Sequence, residues 1–164
     1  MAQEIRIRPA KGGDVPAVRA LLVATWHDTY DGLIGAGKVT EITDSWHSLP
    51  NLTHQLSVPD SSFLVADDQG AIVGHAFANA QRPPALFLTR LYVLPTQQRR
   101  GIGKSLLQAA IARHPACEVV RLEVEADNAK GLAFYRREGF EVVSEAVMEG
   151  IKHLRMEKQL RPSK

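Results

Sequence analysis

The chain has 164 residues, 45% of them hydrophobic and 23% charged, with a formal net charge of +2. That length fits one compact domain with its own core, and so small a charge does not mark a nucleic-acid partner. Cys117 is the only cysteine, which excludes an intrachain disulfide and multi-cysteine metal sites. The first eight residues lack the apolar stretch of a signal peptide, and no run approaches the roughly 20 apolar residues of a membrane span. These features predict a soluble, cytoplasmic protein with no membrane partner.

In chain order, Ile5 and Ile7 alternate with Glu4, Arg6 and Arg8, the period of a half-buried strand closed by Pro9. Asp14 is placed to cap a helix whose first turn tolerates Pro16. Val15, Val18, Leu21, Leu22 and Trp26 form its buried stripe. Residues 32–62 mix glycines, prolines and polar side chains, and one weak helix is expected at about 40–49. A strand at 63–66, a turn at 67–70 and a strand at 71–79 predict an antiparallel hairpin. After Arg82, Pro83 and Pro84 the residues 86–94 read as a longer strand.

The next helix begins after Gly103, with Leu106, Leu107, Ala110 and Ile111 on one face, and ends at His114 and Pro115. Residues 118–125 form a strand in which Val120, Leu122 and Val124 share a face. Asp127 or Asn128 caps a short helix that stops at Gly139, where Phe140 packs back in a Schellman-type end. Two closing strands, about 140–148 and 151–159, meet at Glu149 and Gly150. The strand–helix–strand unit from 86 to 125 requires a parallel pair. An α/β fold follows, a mixed α+β sheet of about seven strands with helices on both faces. Residues 1–160 are expected to form one domain, with 161–164 a loose tail.

The chemistry concentrates between the long strand and the helix, at Gln98, Arg99, Arg100, Gly101, Ile102 and Gly103. Glycines allow close backbone approach, and the free N–H groups of a helix start favour an anion. Arg99, Arg100 and Lys104 add positive charge, so the loop suits a phosphate. A Walker A motif would end similarly at Gly103, Lys104 and Ser105, but its first glycine falls on Gln98. Strand 118–125 also alternates, whereas a nucleotide-binding P-loop protein wants a buried strand.

The segment Gln98–Gly103 resembles the [QR]-x-x-G-x-[GA] loop of the GCN5-related N-acetyltransferases, which holds the coenzyme A pyrophosphate. Leu91, Tyr92, Val93 and Pro95 before it match the same family. So do Leu122, Glu123, Val124 and Asn128 further on, and Phe134, Tyr135, Gly139 and Phe140 after them. The resemblance implies an acetyl-CoA-dependent N-acetyltransferase that acetylates a primary amine of a small molecule or peptide by direct attack in a ternary complex. A coenzyme A-binding regulatory module of the same fold is the alternative.

By the same resemblance, main-chain groups of Leu91, Tyr92 and Val93 pair with the pantetheine arm, and one N–H polarises the thioester carbonyl. Asn128 contacts the cofactor, unless it is a plain helix cap. Tyr135 protonates the departing thiolate, as a phenol that stays neutral at pH 7 can. Glu123 resembles the Glu of the L-E-V segment that acts as base in ribosomal-protein N-terminal acetyltransferases; a solvated strand carboxylate is the other reading. Trp26 and Tyr30 look like the W-x-x-T-Y stretch of polyamine-type members, where an aromatic pair with Asp28 would suit a cationic amine. Trp26 equally ends the stripe begun by Val15. His27, His47, His54, His75, His114 and His153 show no metal-ligand spacing, so no metal is expected. The resemblance allows a homodimer.

Overall fold

The computed structural model describes residues 5–98, 100–148 and 150–160. The expected tail at 161–164 lies outside them, as does Arg99. Seven strands form one sheet in the order β1-β2-β3-β4-β5-β7-β6. They are β1 (Arg6–Pro9), β2 (Ser61–Asp68), β3 (Ala71–Arg82), β4 (Ala85–Val93), β5 (Val119–Glu125), β6 (Glu141–Met148) and β7 (Ile151–Gln159). Only β4 and β5 are parallel; every other pair is antiparallel. The helices are α1 (Val15–Ile34), α2 (Ala36–Trp46), α3 (Leu49–Gln55), α4 (Ile102–Ala112) and α5 (Ala129–Arg137).

Side-chain alternation in β2 and β3 divides the core between the two faces. Phe63, Val65 and Phe77 pack with Val15, Val18, Leu21 and Leu22 of α1. Leu64, Ala66, Ala76 and Ala78 pack instead with Ile102, Leu106, Leu107 and Ala110 of α4. Each of the three large α4 side chains contributes about 1.5–3 kcal/mol by burial. Gly74 sets how closely α4 approaches the sheet: a Cβ there would sit 3.0 Å from Ile102 Cγ2 and from Leu106 Cδ1. The helix start, and with it the glycine loop, is therefore held directly over β3.

Two expectations are corrected. Between 32 and 62 there are two helices, not one. Gly35, at φ 89°, breaks the chain between α1 and α2, and the Ser48 hydroxyl caps α3 by accepting from the Asn51 amide at 3.2 Å. Asp14 precedes α1 but does not cap it with its side chain. Its carboxylate accepts from the Lys11 amide at 2.7 Å and from Arg8 at 2.8 Å, closing the preceding turn. The end of α5 has the form expected, with Gly139 at φ 95° and the Phe140 amide donating to the Tyr135 carbonyl at 2.9 Å. That bond fixes Tyr135 over the core between Phe134 and Phe140, at ring distances of 5.3 and 5.5 Å.

Candidate active site

β4 and β5 pair only at Ala85–Val119, Leu86–Val120 and Phe87–Arg121, and then diverge. Above that point β4 stays bonded to β3 and β5 to β7. The facing edges of β4 and β5 are thereby left open to an extended ligand. A register shift contributes: Phe77 pairs with Arg90 but Ala78 with Leu88, so Thr89 is the extra residue of a bulge in β4. The bulge is backed by a buried cation. Arg90 Nε donates to His75 Nε2 at 3.1 Å, Nη2 donates to Gln55 Oε1 at 2.7 Å, and the guanidinium lies 5.0 Å from the Phe77 ring centre. Burial lowers the Arg90 guanidinium to about 10. The His75 ring stays neutral, pushed well down by burial first and Arg90 second, and donates from Nδ1 to the Leu64 carbonyl at 2.9 Å.

At the top of this opening stands the start of α4. Gly101 is its N-cap at φ 75°, and among the described residues no side chain caps the helix. The Ser105 amide is bonded to the Gly101 carbonyl at 3.0 Å, so the amides of Ile102, Gly103 and Lys104 precede the first intrahelical bond. These uncapped donors beside the exposed Lys104 fit a diphosphate. Gly103 faces α5, where a Cβ would meet the Phe134 ring at 3.4 Å, an ordinary contact distance. Ile102 is buried in the core, Gln98 Nε2 donates to the Val93 carbonyl at 3.4 Å, and Arg100 is drawn to Asp68 at 3.3 Å.

Below the loop, four elements bring a cluster of phenols around one carboxylate. The Tyr30 hydroxyl of α1 donates to Glu125 Oε2 of β5 at 2.5 Å. Tyr30 stacks on Trp26 at 4.5 Å, and both pack with Tyr92 of β4. Burial, then the charges of Tyr92 and Glu125, push both Tyr30 and Tyr135 upward. Burial followed by Glu125 raises Tyr92. All three phenols therefore remain protonated donors at neutral pH. Among the described residues Trp26 Nε1 is buried with no partner in good hydrogen-bond geometry, though it lies near enough to the Tyr92 phenol to lower it slightly against the rise from burial. Asp28 is exposed on α1, so the carboxylate beside the aromatic pair is Glu125.

Glu123 lies two residues earlier on the same face of β5 and is exposed, with Arg155 Nε donating to it at 3.2 Å. It lines an open groove of about 620 Å³ together with Asn79, Phe87, Ser144 and Arg155. Asn128 caps α5, its Oδ1 accepting from the Gly131 amide at 3.0 Å. The structure thus gathers Tyr92, Tyr135, Trp26 and Tyr30 at one place, with Glu123 in the groove wall beside it. Glu125 and His153 were not singled out from sequence. The signal for Glu125 was its position two residues beyond Glu123, which alternation puts on the same face. Among the described residues no three metal-ligating side chains converge, and no helix is long and apolar enough to cross a membrane.

Known proteins agree with this architecture. The acetyltransferase (GNAT) domain family matches residues 29–160, and the chain belongs to that family. It is an acetyl-CoA-dependent N-acetyltransferase. Its sequence is 28% identical to the peptidyl-lysine N-acetyltransferase YiaC of Escherichia coli, over 84% of each chain. It is 29% identical to an L-methionine sulfoximine/L-methionine sulfone acetyltransferase of Pseudomonas aeruginosa, covering 89% of this chain and 86% of that one. Its fold superposes on the PaiA N-acetyltransferase of Thermoplasma acidophilum, solved in complex with coenzyme A. The TM-score is 0.85 at 26% identity, covering 95% of this chain and 99% of that one.

Proposed function

We propose that this enzyme acetylates a primary amine of a small molecule or peptide by direct transfer, with donor and acceptor bound together. The observation that carries this reading is the opening between β4 and β5, which lies between the uncapped start of α4 and the Tyr135–Glu125 cluster. Acetyl-coenzyme A bound there would supply the activated thioester. The amides of 102–104 would hold its diphosphate, with Gln98, Arg99, Arg100 and Gly101 completing the loop. Main-chain groups of Leu91, Tyr92 and Val93 would align the pantetheine arm and draw charge from the thioester oxygen. Asn128 would close the other wall.

Tyr135 serves in this reading as the donor to the leaving sulfur, since its buried phenol keeps its proton. Trp26 and Tyr30 form the acceptor wall. The amine must be deprotonated first, and for a lysine-like group that costs roughly 4–5 kcal/mol at pH 7. β5 offers two carboxylates for it, Glu123 and Glu125, on one face. Cys117 offers no covalent alternative: it is the chain's single cysteine, buried in the core, with its thiol pushed up by that burial. One related enzyme acts on a peptidyl lysine and another on L-methionine sulfoximine or L-methionine sulfone, which supports keeping both a peptide and a small-molecule acceptor in this reading.

Thiol release from acetyl-coenzyme A tests the proposal, run with n-pentylamine, an amino-acid amide and a lysine peptide as acceptors. Release that depends on an amine, with intersecting double-reciprocal lines, is the expected result. Parallel lines would require an acetylated enzyme and would contradict direct transfer. Binding of acetyl-coenzyme A without release for any acceptor would overturn the amine assignment.

A further inference from the structure

Glu125 ends β5 with a side chain only 19% exposed, and its Cα partner across the sheet is His153 of β7. One oxygen, Oε2, accepts the Tyr30 hydroxyl at 2.5 Å. The other, Oε1, lies 4.0 Å from His153 Nδ1, a spacing that one water can bridge. Each element packed around it brings one titratable group: Tyr30 from α1, Tyr92 from β4, Tyr135 from α5 and His153 from β7. Among the described residues no lysine or arginine pairs with Glu125, whereas Glu123 is already held by Arg155 at 3.2 Å.

The contrast decides between the two carboxylates. An ammonium approaching Glu123 must compete with a guanidinium, while at Glu125 it meets a carboxylate that no lysine or arginine among the described residues holds, beside Tyr30 and Trp26. Glu125 also lies near enough for its charge to raise the Tyr135 phenol, after burial and Tyr92.

We infer that Glu125 takes the proton from the acceptor ammonium, with Tyr30 fixing one carboxylate oxygen and His153 leading the proton out to water. The inference rests on the amine-transfer reading and names its base. The ammonium gives one proton to Glu125, which His153 passes to solvent. The neutral nitrogen then bonds to the acetyl carbon as the carbon–sulfur bond breaks. Tyr135 donates its proton to sulfur, and the second proton shed by nitrogen restores the phenol. The products are an acetamide, free thiol and one released proton.

The test compares two acceptors of nearly one shape, n-pentylamine and O-butylhydroxylamine. The first is charged at pH 7 and needs a base, and the second is already neutral. Glu125→Gln is expected to lower kcat/KM for n-pentylamine by about 10²-fold and to change that for O-butylhydroxylamine by much less. Glu123→Gln is expected to leave the ratio between the two acceptors unchanged. An equal loss for both acceptors in Glu125→Gln would mean a structural role only. The acceptor split appearing in Glu123→Gln would assign the base there instead. Should Glu125→Gln not fold, Tyr30→Phe keeps the ring, removes the bond to Oε2, and must show the same split at smaller size. Should wild type acetylate O-butylhydroxylamine but not n-pentylamine, Glu125 is not acting as a base. Release with neither acceptor would instead strike the amine-transfer reading, while coenzyme A binding stands apart from both.

Discussion

Tyr135→Phe is expected to lower kcat by about 10²-fold while leaving the affinity for coenzyme A unchanged, the size of effect that one well-placed proton donor produces. The substitution removes only the hydroxyl. The ring keeps its edge contacts with Phe134 and Phe140, and the bond from the Phe140 amide to the carbonyl of residue 135 persists. Fold and loop are therefore preserved, and the loss belongs to the chemical step. Burial holds the phenol in its protonated form, so the wild-type donor stays active well above neutral pH. Single-turnover rates with saturating acetyl-coenzyme A, beside its dissociation constant, check the split. An unchanged rate would remove Tyr135 from the mechanism.

Acid is expected to unfold the protein early, because two histidines are buried neutral. Burial, then Arg90, lowers His75 far below its ordinary value. Burial first, then Arg90 and Arg19, lowers His47 to about 3. In the unfolded chain both titrate near 6.5. Below that pH the unfolded state binds more protons than the folded one, so stability falls as pH falls, from about 6.5 down to the folded values. At pH 5 His47 alone has forfeited about 2 kcal/mol, which lowers Tm by roughly 4–8 °C for a chain this size, and His75 acts in the same direction. The paired carboxylates of Asp14 and Asp67, both held below their ordinary value, add a further loss at still lower pH. Thermal melts from pH 7.5 to 5 measure this directly, and His47→Leu is expected to reduce the slope. A Tm that is flat over that range would contradict buried neutral imidazoles.

Alternation and helical period made most of this fold readable in the chain. β5 and β7 stand out because Val120, Leu122, Val124, Leu154 and Met156 are buried at every second position, whereas β2 and β3 are buried on both faces and stand out as apolar runs. The end of α5 was legible because Gly139 followed by Phe140 satisfies a local rule. Residues 32–62 were not, since Gly35, Gly37 and Pro50 look like loop punctuation, whereas only Gly35 parts two helices, Gly37 lies within α2 and Pro50 sits in the first turn of α3. At the site, the glycine loop and Tyr135 carry local motifs. The cluster around Glu125 does not, because Tyr30 lies 95 positions from its partner and only the closed sheet brings them together. The same holds for Arg90, whose bonds to His75 and Gln55 span 15 and 35 positions.

Thermal unfolding with acetyl-coenzyme A, free coenzyme A and Mg-ATP, each at equal concentration, tests the assignment of the β4–β5 opening most directly. A ligand at about 100 times its Kd adds roughly 2.7 kcal/mol, which should raise Tm by about 5–11 °C. The uncapped α4 start together with the open strand edges predicts that shift with both coenzyme A ligands and none with Mg-ATP. A shift with Mg-ATP alone would contradict the account, and so would no shift with any of the three.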